Sequence, residues 1–234
     1  MASDDGSVFP DSVTKPKIMI VGDSISAGPG CYKGFLDRNL KDNGITNYEF
    51  VGKYNDDCGD GIKHSAISCS TSSDYTKDTF VLANASCAQT PFDGMDKLVA
   101  EFSPDLIMLQ LGVNDVWDAN AQIQPVLDNY TTLVEQARAH NPNIVLVVAQ
   151  IQKINTQQAG TPCTASDFSP KAKELVDAVP AWAQAANTDV SPVFVADLWT
   201  NSVVTETLDC VHPDDAGAEK MGQNWYQALK DILQ

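Results

Sequence analysis

Four residues have types and settings suited to acyl chemistry. Ser24 lies in "VGDSISAG" (21–28), Asn114 in "LGVNDVW" (111–117), and His212 in "TLDCVHPDDAGAEK" (207–220), with Asp209 three positions before it. A serine hydroxyl is a weak nucleophile until a neighbouring base takes its proton. An imidazole is such a base when a carboxylate fixes its tautomer and stabilises the imidazolium that forms. If Asp209 to His212 forms a helical turn, the two side chains share one side, since residues three apart are neighbours. An asparagine NH₂ directed at a carbonyl oxygen forms part of an oxyanion hole, and losing one such donor typically costs ~3 kcal/mol of transition-state stabilisation. Each stretch also has a plainer reading. Gly-Asp-Ser suits a capped turn, Asn114-Asp115 a turn in which Asp115 caps the next helix, and His212 a surface histidine before a turn proline. His140, in "ARAHNPN", is explained by a helix C-terminus alone. His64 has no carboxylate at a comparable spacing.

The elements that must position these groups are legible as apolar runs. "KIMIVG" (17–22), "YEFVGK" (48–53), "DLIMLQLG" (105–112), "IVLVVAQI" (144–151) and "VFVADLW" (193–199) are short and bounded by turn residues. Near-continuous apolarity marks strands buried on both faces, as in a parallel sheet. Between them, 122–139 carries Ile123, Val126, Leu127, Tyr130, Val134 and Ala137 at helical spacing. Ser169-Pro170 opens a helix over 169–187, which Pro180 should kink, and a last helix covers about 214–233. Strand–helix alternation predicts a three-layer α/β/α sandwich. Its ligands bind at the C-terminal ends of the strands, where all three motifs fall. Residues 1–16 are set apart as an N-terminal extension and 17–234 as one domain, with 54–92, rich in Ser, Thr, Asp and Cys, an irregular insertion stapled by disulfides in place of core.

Composition narrows the function classes. The chain has 234 residues and a net charge of −16. That balance argues against nucleic acid and anionic membrane as partners, and no apolar run approaches the ~20 residues of a transmembrane helix. Six cysteines, at 31, 58, 69, 87, 163 and 210, fit no zinc spacing and imply up to three disulfides in an oxidising compartment. Cys210, between Asp209 and His212, is expected to pin that loop, with Cys163 the first candidate partner. Asn84 and Asn129 head N-glycosylation triplets. The polar, acidic start is no signal peptide, so the expectation is a secreted protein whose leader is not in this sequence. Gly-x-Ser-x-Gly, Gly-x-Gly-x-x-Gly and Walker patterns are all absent.

Serine after the first strand, Gly-x-Asn-Asp after the third and Asp-x-x-His before the last helix together resemble the GDSL, or SGNH, hydrolases over residues 17–234. The resemblance implies a five-stranded parallel sheet of flavodoxin-like order. It also implies Ser24 as nucleophile, His212 as base, Asp209 as its orienting acid, and Asn114 with the Ser24 N–H as oxyanion donors. No metal or cofactor is implied. The glycine that normally donates a further N–H is missing from "HSAISCSTSSDY" (64–75) and "ANASCAQT" (83–90), which leaves Cys69 and Ala88 as alternatives. "FVGK" and "DCVHPDDAGAEKMG" are similar to the third family of carbohydrate esterases, which remove acetyl groups from xylan. The substrate expected is therefore an acylated polysaccharide, handled by a monomer. A lipase of the same family and a catalytically silent sugar-binding domain are the alternatives. Trp117 and Trp199 are candidates to flank a sugar. With neutral His212 as base, the rate should fall as pH drops and the imidazole takes up a proton.

Overall fold

The computed structural model describes residues 8–28, 30–56, 58, 61–160, 163–164 and 167–234. Five strands form one parallel sheet: β1 (Lys17–Gly22), β2 (Glu49–Val51), β3 (Leu106–Gln110), β4 (Val145–Gln150) and β5 (Val193–Asp197), in the spatial order 2-1-3-4-5. Register runs through Ile18↔Leu106, Leu106↔Val145 and Leu146↔Val193. The central strands β1, β3 and β4 are almost wholly buried, which is why they read as unbroken apolar runs. Chain direction across the sheet reverses between β1 and β3. Their C-terminal ends therefore open onto the crevice where such folds bind ligands.

Among the described residues, seven α-helices accompany the sheet: α1 (Ser24–Ala27), α2 (Tyr32–Asp42), α3 (Ser72–Tyr75), α4 (Met95–Phe102), α5 (Ile123–His140), α6 (Pro170–Ala186) and α7 (Asp215–Leu229). The long ones bury a stripe at helical spacing, such as Val126, Tyr130, Leu133, Val134 and Ala137 of α5. Helix α2 packs on α7, and α5 lies between α4 and α6. The first contact is close because of Gly222, where an added Cβ would stand 2.6 Å from the Phe35 Cβ. His140, at the end of α5, is also bonded through Nε2 to Asp96 Oδ1 of α4 at 2.8 Å.

Helix α6 runs on through Pro180 to Ala186. Proline has no N–H for the carbonyl four residues back. That carbonyl, of Val176, instead accepts from the Gln150 Nε2 at 2.8 Å.

The 54–92 segment holds two two-residue antiparallel ladders, 54–55 with 63–64 and 79–80 with 92–93, besides α3. Disulfides Cys31–Cys58 and Cys69–Cys87 fasten it. They supplement a core rather than replace one, because Ile62, Ile67, Tyr75, Phe80 and Leu82 are buried there. Phe9 of the N-terminal segment is buried as well. No helix among the described residues is long and apolar enough to cross a membrane.

Candidate active site

The turn after β1 is built on buried polar contacts. Asp23 caps α1 by accepting from the Ile25 N–H at 3.0 Å. Burial pushes its carboxyl up to about 7; the Ile25 N–H works against that rise and the nearby Asp115 charge adds to it. Ser26 Oγ lies 2.9 Å from Tyr32 Oη and donates to Gln110 Oε1 at 3.0 Å. Gln110 Nε2 in turn donates to Gln152 Oε1 at 3.2 Å, so the turn carrying Ser24 is tied through β3 to the segment after β4. Lys33 Nζ donates to the Ser26 carbonyl at 2.6 Å and lies 3.0 Å from Asp56 Oδ2, with both side chains buried. Apart from the capped turn at Gly-Asp-Ser, none of these supports was read from the sequence. The available signal was Gln110, a polar residue inside an otherwise apolar strand.

Asp209 and His212 do not form a helical turn. The segment is a loop with Cys210 at φ 66°, in the left-handed region. Asp209 Oδ1 accepts from the N–H groups of Val211 (3.1 Å) and His212 (2.8 Å), a side-chain turn that brings the two residues together. Its Oδ2 lies 2.9 Å from His212 Nδ1, and His212 Nε2 lies 2.8 Å from Ser24 Oγ. Partial burial would raise the Asp209 carboxyl, but the His212 N–H, the imidazole and the Val211 N–H outweigh it and hold the carboxyl below its ordinary value. The loop is fixed by the Cys163–Cys210 disulfide, the pairing expected first, and by the Asn155 N–H donating to the Cys210 carbonyl at 2.8 Å.

Asn114 follows β3 after Gly112, whose φ of 117° and close Tyr130 and Leu175 neighbours leave no room for a Cβ. Asn114 Nδ2 donates to the Ser70 carbonyl at 2.8 Å, which orients the amide and leaves a second N–H for the cleft. Asp115 caps a different helix from the one expected. Its carboxylate accepts from the Ser72 N–H and Oγ at the start of α3, because the chain beyond it runs to residue 123 before a helix begins.

Ser24, Cys69, Asn114, Trp117 and His212 line one open cleft of about 830 Å³. Cys69 has φ 69°, the left-handed conformation that favours glycine. Ala88 lies apart, in a neighbouring groove. The structure thus brings Cys69 to Ser24 and not Ala88. Trp117 is 44% exposed. Trp199 is not a sugar platform: it is buried, its ring packed edge-on against Phe168 with centroids 4.8 Å apart. Hydroxyl and amide groups of Ser68, Thr71, Ser73 and Asn84, together with the Asp74–Lys77 ion pair, complete the walls. Asn84 was noted only as the head of a glycosylation triplet, and no sequence motif assigned these residues to the cleft walls. The one grouping of three potential metal ligands among the described residues, Cys31, Asp56 and Cys58, has both sulfurs joined in a disulfide.

Comparison with known proteins agrees with this geometry. A carbohydrate esterase family 3 structure from Talaromyces cellulolyticus superposes with a TM-score of 0.76 at 22% identity, over 93% of this chain and 98% of that one. A family 3 carbohydrate esterase from Clostridium thermocellum gives 0.67 at 22% identity, over 94% and 97%. At such identities the likeness establishes the fold. A multidomain esterase of Ruminococcus flavefaciens is 28% identical over 93% of this chain, which spans only 29% of that relative's length. Residues 20–220 match the GDSL-like lipase/acylhydrolase family. With a serine, an imidazole and a carboxylate in one hydrogen-bonded line at the end of a 2-1-3-4-5 sheet, the chain belongs to that family of ester hydrolases.

Proposed function

We propose that the protein is a serine esterase that removes short acyl groups, acetyl foremost, from a neutral polysaccharide such as xylan. The observation that carries this reading is the Asp209–His212–Ser24 line, with 2.9 and 2.8 Å between successive members, in an open cleft. Ser24 Oγ attacks the ester carbonyl while His212 Nε2 takes its proton. Asp209, ionised and bonded to Nδ1, holds the ring and stabilises its charge. The developing oxyanion is met by the Asn114 amide and by the N–H groups of Ser24 and Cys69. His212 then protonates the departing sugar hydroxyl, and the acyl group stays on Ser24. Water, deprotonated by His212, attacks that acyl-enzyme and releases the acid. This scheme requires no cofactor.

Several features favour carbohydrate as the alcohol. The cleft walls carry hydroxyls, amides and the exposed Trp117 ring, which suit a sugar face and its hydroxyl edges. The net charge of −16 disfavours acidic polymers. The carbohydrate esterase names of the structural neighbours point the same way. The test is release of acetate from acetylated xylan, mannan and pectin side by side, with Ser24→Ala as control. Xylan is expected to lead and the variant to be silent; no turnover of any of them, nor of p-nitrophenyl acetate, would leave a sugar-binding domain as the better account.

One observation favours a second reading, hydrolysis of longer acyl chains. The groove beside the cleft, about 520 Å³, shares Ser68 and Cys69 with it and is lined by Ala27, Ile67, Leu82 and Phe92. A p-nitrophenyl ester series decides: kcat/KM falling beyond acetyl or propionyl supports the acetyl reading, and a rise toward octanoyl supports the lipase.

A further inference from the structure

Among the described residues, four other than glycine have positive φ in the left-handed region: Cys31, Cys69, Ser103 and Cys210. Three of the four are half-cystines, one from each disulfide. Cysteine has no side-chain oxygen to stabilise that conformation locally, as Asn and Asp have, and bears the full Cβ penalty. Each crosslink thus meets the backbone where glycine would be the unforced choice. Of the three, only Cys69 shares the cleft with Ser24, Asn114 and His212.

The segment around Cys69 is docked on both sides. The Ile67 N–H donates to the Gly22 carbonyl at 2.9 Å, at the end of β1. Ser70 Oγ donates to the Ile67 carbonyl at 2.7 Å, and the Ser70 carbonyl accepts from Asn114. No acceptor for the Cys69 N–H is found among the described residues, so it is available to a ligand in the cleft. The other half of the crosslink is itself held: Gln89 Nε2 donates to the carbonyls of Asn84 and Cys87, both at 3.0 Å. Both cysteines are half-buried, so a small reductant reaches the bond.

We propose that the Cys69–Cys87 disulfide is a positioning device: it holds Cys69 in the left-handed conformation that presents its N–H to the oxyanion, and makes turnover depend on the crosslink remaining oxidised. The proposal rests on the esterase reading given above. Reduction by dithiothreitol breaks the S–S bond, leaves Cys69 and Cys87 as thiols, and closes the reagent to its cyclic disulfide. Residue 69 then relaxes toward negative φ and its N–H leaves the cleft.

The test compares C69A/C87A with C69G/C87A on p-nitrophenyl acetate, with thermal melts to show that both fold. The alanine pair should lose about 10²- to 10³-fold in kcat, with KM moving far less, the range seen when one oxyanion donor is removed. The glycine pair should recover at least ~10-fold of that loss, because glycine takes positive φ without a crosslink. Equal kcat for the two pairs, or wild-type kcat in the alanine pair, overturns the proposal while leaving the esterase reading intact. A wild type inactive on every ester overturns both. Should the alanine pair fail to fold, native protein titrated with dithiothreitol and mapped by mass spectrometry substitutes: full kcat in molecules with Cys69 and Cys87 reduced refutes the device.

Discussion

Replacing Lys33 with Met tests the buried support of the nucleophile turn. Lys33 Nζ stands 3.0 Å from Asp56 Oδ2, and each side chain is 1% exposed. The same ammonium donates to the Ser26 carbonyl of α1 at 2.6 Å. Removing one partner of a buried pair leaves an uncompensated charge and costs about 3–5 kcal/mol. That is a large share of the ~5–15 kcal/mol by which a domain is stable. With urea m-values of ~1–3 kcal/mol per molar for small proteins and more for larger ones, the midpoint should fall by roughly 1 M. K33M/D56L removes the stranded charge as well. It gives up the 2.6 Å bond from the Cys58 N–H to Asp56 Oδ1, worth about 1 kcal/mol, and should still be about 2 kcal/mol more stable than K33M. Urea unfolding followed by tryptophan fluorescence measures all three proteins. A K33M midpoint within error of wild type, or a double variant no better than the single, would refute the argument.

Other expectations concern chemistry and pH. Asp209→Asn should lower kcat by about 10³- to 10⁴-fold through loss of the ionised partner at His212 Nδ1, and wild-type kcat in that variant would sink the triad. Trp117→Ala should raise KM several-fold for acetylated xylan while leaving KM for p-nitrophenyl acetate alone; equal effects on both substrates would remove its sugar-contacting role. Asp23, at about 7 when folded against ~3.9 unfolded, binds its proton more tightly in the folded state. Its contribution is therefore fully present below ~4 and is lost as pH rises toward 7, with a slope of up to about 1.4 kcal/mol per unit. Asp23→Asn cannot titrate and should show a flatter stability profile between pH 4 and 7, and superimposable profiles would contradict the assignment. Asp209, held below its ordinary value, has the opposite sign. Its contribution is present above ~3.9 and lost as pH falls through the folded value, so Asp209→Asn should flatten the acid limb of urea unfolding.

The sheet was legible because burial on both faces forces continuous apolarity, and β1 coincides with the run at 17–22. β2 kept only three residues of the six expected, since edge strands are half covered and their ends carry mixed residues. The hydroxyl, imidazole and carboxylate were legible because each sits in a short motif, Ser24 just after β1 and Asp209 and His212 in the loop before α7. How Asp209 meets His212 was not, because an Asx-type turn and a helical turn share the same spacing. Asp115 was assigned to the wrong helix because its partner, Ser72, is 43 positions away and sequence patterning sees only local caps. The same blindness covers Lys33–Asp56, Ser26–Gln110 and the choice between Cys69 and Ala88, which depend on segments meeting only in the folded chain.

The bond from Gln150 to the Val176 carbonyl makes tolerance of change at one position conditional on another. While Pro180 occupies α6, Gln150→Leu strands a buried acceptor and should cost about 1–3 kcal/mol. Once residue 180 is an alanine, the helix supplies its own donor, and the same leucine should be nearly neutral. Substitutions at these two sites can therefore accumulate cheaply in one order only, the proline first and the glutamine second.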